Sequence, residues 1–523
     1  MPTRDDDALR HALERVREFP IDAHLRFLSH PLLEGRAPGT RGGTLAMEYI
    51  RSQFERIGLE PVNSSYLQPV PMVGLDPHPH LELVLPGGSV DAPVYRDEYV
   101  LEAGVPRPEV LVDAELVFCG YGITAPEYGW DDFEGVDVRG KVLLVRVNDP
   151  GTAETPGFFG GPALTYYGRW TYKYEEASRR GAAGVLLVHT DESAGYGWNV
   201  VRTSNTGEQF DLAGDPEHPL DVRGWVSYPA IQRALAAAGK DLETLLRLSE
   251  SRDFRPVPTG LRVRARVESA VREVSTANVV GLLTGADPER ANEVVILSSH
   301  YDHLGTWVGD GGETLVYHGA YDNASGVALL LTLAEAAMSA PVRPARPLLF
   351  VATTAEESGL LGAEWYARHP LYPTATTAAE LNVDGANLFG PTHDIAPLGV
   401  DRSSLGDLAR EAAAAEGMEI APDAHPEQGM FFRQDHFPFA RAGVPALAFD
   451  HGLRYVGRPE GWGEERYNEF NTQHYHQPSD AYRDDFDYGG AVQQGRVMLR
   501  TAWAAANAES LPEWKPGSEF RRG

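Results

Sequence analysis

The sequence predicts an α/β fold, a mixed and mostly parallel sheet flanked by helices. From Ala277 onward, short apolar runs alternate with longer stretches of helical period, the pattern of strands joined by crossover helices. With 523 residues, 42% of them hydrophobic, the chain is also long enough for two or three packed domains.

Thr40–Gly58 places Leu45, Tyr49, Ile50, Phe54 and Ile57 at helical spacing, with Gly58 as a C-cap. Residues 66–115 turn to Pro, Val and Leu in short alternations, which reads as strands and loops. Lys141–Val145 reads as a strand, and Tyr174–Arg180 followed by Gly181–His189 as helix, glycine turn and strand. The regular half then supplies strands at Val294–Ser298, Leu348–Thr353, Glu380–Val383 and Ala446–Phe449. Helices are expected at Ala324–Met338, Leu360–Arg368, Leu405–Glu416 and Gly490–Ala508. Gly452–Gln473 reads as a long polar and aromatic loop, of a length that often serves as a lid or partner surface.

Lys and Arg total 46 and Asp and Glu 75, a formal net charge of −29. Such a surface repels phosphate backbones and anionic lipid, so no nucleic-acid or membrane partner is expected. The longest apolar runs, such as Val327–Leu331, fall far short of the roughly 18 residues a membrane span needs. The first thirty residues carry Asp5, Asp6, Asp7 and alternating charge without the apolar core of a secretory signal, so the compartment stays open: cytoplasmic, unless a leader precedes this sequence. The single cysteine, Cys119, leaves no partner for an intrachain disulfide or a CxxC site and reads as a small buried hydrophobe. Nothing in the sequence fixes an oligomeric state.

In an open α/β sheet, ligands bind outside the carboxyl ends of the strands. His300, Asp302 and His303 follow the first strand of the regular half, Glu356 and Glu357 the second, and Asp384 the third. GAYDNASG at 319–326 places Asp322 before a helix, and HYHQPSD at 474–480 adds His474 and His476. One acidic residue after a strand is usually a cap or a solvated charge. Several at successive strand ends suit zinc, which takes imidazole nitrogen and carboxylate oxygen, and a two-metal site needs a bridging carboxylate and an uncoordinated one to move a proton. Asp302, two residues from His300, is placed to orient its imidazole.

The runs SSHYDHLG at 298–305, GAYDNASG at 319–326, TAEESGLLGAEWYA at 354–367, NVDGAN at 382–387 and YHQPSD at 475–480 occur in one order over about 200 residues. Together they resemble the family of co-catalytic di-zinc aminopeptidases, which includes bacterial leucyl aminopeptidases, glutamate carboxypeptidases and glutaminyl cyclases. Leu28-Ser29, Glu34-Gly35-Arg36 and Pro38-Gly39-Thr40 resemble that family's N-terminal segment. Arg139–Val142 and the GAAGVLLV turn at 181–188 are similar to the β-rich protease-associated domain often inserted in such enzymes. The resemblance implies three parts: 1–110 as the N-terminal part of the peptidase domain, 111–272 as the insert, and 273–523 as the catalytic domain.

It also implies two zinc ions and a peptide substrate. Asp322 would bridge the metals, His300 and Asp384 would complete one site, and Glu357 and His476 the other. Glu356 would be general base and then acid, and Tyr475 would help hold the tetrahedral oxyanion. The peptide bond after Asp322 is expected to be cis. His303, His318 and His474 compete as ligands without matching the motif, and Asp435-His436 resembles a segment lining the substrate side. Trp307, Tyr317, Phe431, Phe432, Trp462 and Tyr467 are candidates for an apolar pocket. The implied function is a zinc-dependent metallopeptidase releasing N-terminal residues. The alternatives are a carboxypeptidase or N-acyl amino acid hydrolase, a one-zinc glutaminyl cyclase, and a non-catalytic binding module.

Overall fold

The computed structural model describes residues 4–155, 157–214, 218–309 and 311–521. The chain forms two compact units: Met1–Pro71 with Val274–Ala424 and Arg433–Gly523, and Met72–Glu273 with His425–Phe432. Where the sequence placed boundaries at 110/111 and 272/273, the chain divides at 71/72 and 273/274. The difference lies in residues 72–110, because Tyr99–Gly104 pairs antiparallel with Leu220–Ser227 and so belongs to the second unit.

The first unit is built on a sheet whose four central strands are parallel. Ala446–His451, Ala379–Asn382, Val295–His300 and Leu348–Thr353 lie side by side in that order. Asp394–Leu398 runs antiparallel beside the first of these, and residues 279–283 run antiparallel beside the last. All four strands read from the sequence are present, as are helices at Arg41–Ile57, Gly326–Met338, Leu361–Arg368, Leu405–Ala415 and Gly489–Asn507. Alternation explains why these strands read as continuous apolar runs. Val295 and Leu297 join a core with the helix Gly326–Met338, while Val294 and Ile296 pack on the other face with Tyr366 and Phe439. The helix Arg41–Ile57 starts where the Thr40 hydroxyl accepts the Gly43 N–H and stops at Gly58, whose φ of 84° is the left-handed cap expected of glycine.

Strand order reverses around Val295–His300: the chain crosses one way to Leu348–Thr353, then back over it to Ala379–Asn382. Loops leaving these carboxyl ends diverge and leave a crevice between them. Gly452–Gln473, expected as a loop, is corrected in its second half to a helix over Trp462–Gln473. Its only buried residue is Gly463, so there was no apolar stripe to read. Among the described residues no helix is long and apolar enough to cross a membrane.

The second unit is itself α/β. Glu109–Phe118, Val142–Arg146, Gly184–His189 and Leu220–Ser227 are parallel neighbours, and helices Trp170–Arg179 and Tyr228–Ala237 flank them. Cys119 is buried in its core.

Candidate metal centre

Each candidate ligand is delivered by backbone that the rest of the first unit fixes. His300 is the last residue of its strand, and Glu356, Glu357 and Asp384 leave the neighbouring ones. Asp322 lies in a turn clamped from two sides. Asp480 Oδ1 accepts the Tyr321 N–H at 2.9 Å, its Oδ2 accepts the Asp322 N–H at 3.1 Å, and its backbone carbonyl accepts the Ala320 N–H at 3.1 Å. From the other side Arg36, only 1% exposed, donates to the carbonyls of His318 at 2.6 Å and Gly319 at 2.9 Å, and to those of Tyr301 and Leu28. The side chain of Asn323 closes the turn onto the sheet, donating to Ser299 Oγ and the Val383 carbonyl while accepting from Gly326 and Gly385. The Asp322–Asn323 peptide bond is cis.

Around this frame the side chains converge. His300 Nε2 is 3.1 Å from Asp384 Oδ1 and 3.4 Å from Asp322 Oδ1. His476 Nε2 is 2.9 Å from Glu357 Oε2 and 3.4 Å from Asp322 Oδ2. The two oxygens of Asp322 therefore face two different imidazoles, each of which has a carboxylate of its own. Glu356 joins the first group, its Oε2 lying 3.9 Å from His300 Nε2. Two ligands each about 2.1 Å from one tetrahedral ion stand roughly 3.4 Å apart. Nitrogen and oxygen donors at 2.9–3.4 Å, from two imidazoles and three carboxylates in a largely buried cluster, thus fit a pair of divalent cations.

The protein's own charges polarise the cluster. Burial works against ionising Asp322, but the imidazoles of His300 and His476 outweigh it and hold its carboxyl well below the usual range. Glu357, against burial and the charge of Asp322, is held down to about 2 by His476 and His303. His476 is raised to about 10, its burial overcome by Glu357 and Asp322. Glu356 goes the other way, pushed well up by burial, with the charge of Asp384 adding to it.

His303 is also part of this centre, which its mismatch to the motif had obscured. Its Nδ1 lies 2.6 Å from Glu357 Oε1, the oxygen other than the one facing His476, so it orients that carboxylate. Its signal in the sequence was its place one residue beyond Asp302 at the same strand exit. His318 and His474 lie outside both groups, and the half-buried His474 faces Ser479 Oγ at 2.9 Å. Asp302 is fully buried, with Oδ1 3.7 Å from His300 Nδ1. The Tyr475 ring packs tilted against that of His476, centroids 4.0 Å apart, and its phenol is met by Arg433 at 3.3 Å. Asp435 accepts from the Thr353 hydroxyl, and His436 is fully buried. Of the pocket candidates, Tyr455 takes up Trp462 at 4.8 Å, while Phe431 and Phe432 belong to the second unit.

A mostly parallel sheet gathers imidazoles and carboxylates at its carboxyl edge, in groups that could hold metal ions. Residues 278–502 match the model of peptidase family M28. A probable zinc metalloprotease of Leptosphaeria maculans is 29% identical over 48% of this chain and 61% of its own length. Aminopeptidase YwaD of Bacillus subtilis is 23% identical over 75% of this chain and 69% of its own. The solved aminopeptidase from Aneurinibacillus sp. strain AM-1 shares the fold, with a TM-score of 0.55 and 19% identity over 98% of this chain and 97% of that one. The chain spans about half to three fifths of the first curated relatives it matches.

Proposed function

We propose that this chain is a di-zinc metallo-exopeptidase, an aminopeptidase that releases N-terminal residues from peptides. The observation carrying the reading is Asp322, whose two carboxylate oxygens each stand 3.4 Å from a different imidazole, His300 and His476. That is the arrangement a bridging carboxylate needs, with Asp384 and Glu357 as terminal ligands. Zinc is favoured by a donor set of imidazole and carboxylate without thiolate and by the names of the relatives. When bound, the two ions supply Lewis-acid activation of water and of the scissile carbonyl.

The remaining work falls to side chains. Glu356, uncoordinated in this reading, accepts a proton from the attacking water at its carboxylate and returns it to the amine nitrogen as the C–N bond breaks. Tyr475 donates its hydroxyl to the negative charge that develops on the former carbonyl oxygen. Asp302 and His303 hold Glu356 and Glu357 in position. In the second unit, the Gly140 N–H donates to the Gly181 carbonyl at 2.9 Å, joining the two turns that carry the resemblance to a protease-associated domain and supporting that reading of the unit.

The test is digestion of a peptide library by the zinc-loaded protein, read by mass spectrometry with and without chelator. Chelator-sensitive loss of single N-terminal residues is expected. Trimming only from the carboxyl end, cyclisation of N-terminal glutamine, or no chelator-sensitive product would each overturn the reading.

A further inference from the structure

We infer that Arg433 is a positioning residue for this reaction, holding the Tyr475 hydroxyl so that its proton points at the metal centre. The inference rests on the aminopeptidase reading above and adds to it a group that no motif assigned.

Arg433 opens the run Arg433-Gln434-Asp435-His436, whose members are tied to the strand ends that build the centre. Gln434 Oε1 accepts from Asn382 Nδ2 at 3.4 Å, at the end of the strand that leads to Asp384. Asp435 accepts from the hydroxyl of Thr353, at the end of the strand that leads to Glu356. The guanidinium is therefore presented from a fixed base, and its Nη2 donates to the Tyr475 hydroxyl at 3.3 Å. Tyr475 is fixed in turn, by its N–H to the Phe470 carbonyl at 2.8 Å and by a tilted ring contact with His476.

The chemistry of the pair sets the direction of the proton. A guanidinium has donors only, so the phenol oxygen is the acceptor and its single O–H must donate elsewhere. The other charged groups facing the phenol are Asp322, Glu357 and Glu356, all in the centre. A hydroxyl that accepts from a cation is also a stronger donor to a developing anion. Arg433 thus selects the one orientation of Tyr475 that a tetrahedral oxyanion uses, without touching substrate itself.

The experiment is a double-mutant cycle on the zinc-loaded protein with Arg433→Ala, Tyr475→Phe and both together. It reads zinc content, kcat and KM on a leucyl peptide, and calorimetric binding of a phosphonate analogue of that peptide. Arg433→Ala should keep its zinc and lower kcat by about 10- to 100-fold, somewhat less than removal of an oxyanion donor outright, and it should leave KM within about twofold while weakening the phosphonate in parallel. In the Tyr475→Phe background the same change should cost less than about twofold, and Arg433→Lys should recover part of the loss. Costs that multiply, an effect on KM alone, or loss of zinc would overturn the inference. Absence of turnover on every peptide would overturn the aminopeptidase reading instead, and the phosphonate arm would still decide the role of Arg433.

Discussion

Asp302 holds the backbone that carries Glu356: its Oδ1 accepts the Glu356 N–H at 3.1 Å, and its Oδ2 the Glu357 N–H at 3.4 Å. His300 Nδ1 lies 3.3 Å from the backbone carbonyl oxygen of Asp302, while the carboxylate stands 3.7 Å away. One buried side chain therefore sets the start of the Glu356-Glu357 turn while it lies beside the His300 imidazole. Asp302→Ala should lower zinc affinity by about 10- to 100-fold, the range for support groups behind a ligand. Calorimetric zinc titration against the unaltered protein checks this, and an unchanged affinity would show that the turn holds without it.

Glu356 differs from its neighbour Glu357 in what it touches. Glu357 is engaged by His303 and His476, whereas Glu356 comes no closer to an imidazole than 3.9 Å. Glu356→Gln should therefore retain two zinc ions per chain and the thermal stability of the parent, yet lose about 100- to 10,000-fold in kcat as the proton carrier disappears. Metal analysis alongside steady-state kinetics separates these outcomes. Turnover within a factor of two of the parent would remove Glu356 from the mechanism.

Arg36, 1% exposed, donates to four backbone carbonyls of the first unit at 2.6–2.9 Å. Burial lowers its pKa to about 10, offset in part by Asp302, Asp480 and Asp322, so it stays charged near neutrality. Arg36→Met would orphan several buried acceptors at once and should destabilise the protein by about 3–5 kcal/mol in urea unfolding. Arg262→Ala breaks an ion pair with Asp113 in which both side chains are about half exposed, and should change stability by less than about 1 kcal/mol. Equal effects of the two would contradict the distinction between a buried clamp and a surface pair.

The sheet and its helices were legible because the apolar period of each element was strong and its ends were punctuated, as at Thr40 and Gly58. The clustering of His300, Glu356, Glu357 and Asp384 was legible because they sit at strand ends, where sequence position and spatial position coincide. What joins those residues was not. Arg36 lies 286 residues before Asp322, Asp480 lies 158 after it, and their hydrogen bonds go to backbone groups that leave no trace in side-chain pattern. The helix Trp462–Gln473 escaped for a different reason: only Gly463 is fully buried, and its packed aromatics, Trp462 on Tyr455 and Phe470 on Tyr321, are too few to print a continuous apolar period.

His24 supplies a pH dependence that lies apart from the metal centre. It is 7% exposed, its Nδ1 is 2.8 Å from the Tyr49 hydroxyl, and burial, with the charge of Arg56, lowers its pKa from 6.5 to about 4. The unfolded chain binds a proton near pH 6.5 that the folded chain refuses until about pH 4, so the unfolded state gains protons first as pH falls. Stability contributed by the neutral imidazole is thus full above pH 6.5 and is lost between there and pH 4. Between pH 7 and pH 5 this single group should remove about 2 kcal/mol. Other groups titrate over the same interval, so the decisive quantity is a difference: urea unfolding of the parent and of His24→Gln at both pH values. The parent should lose about 2 kcal/mol more than the variant on acidification, and parallel losses would place the pH sensitivity elsewhere.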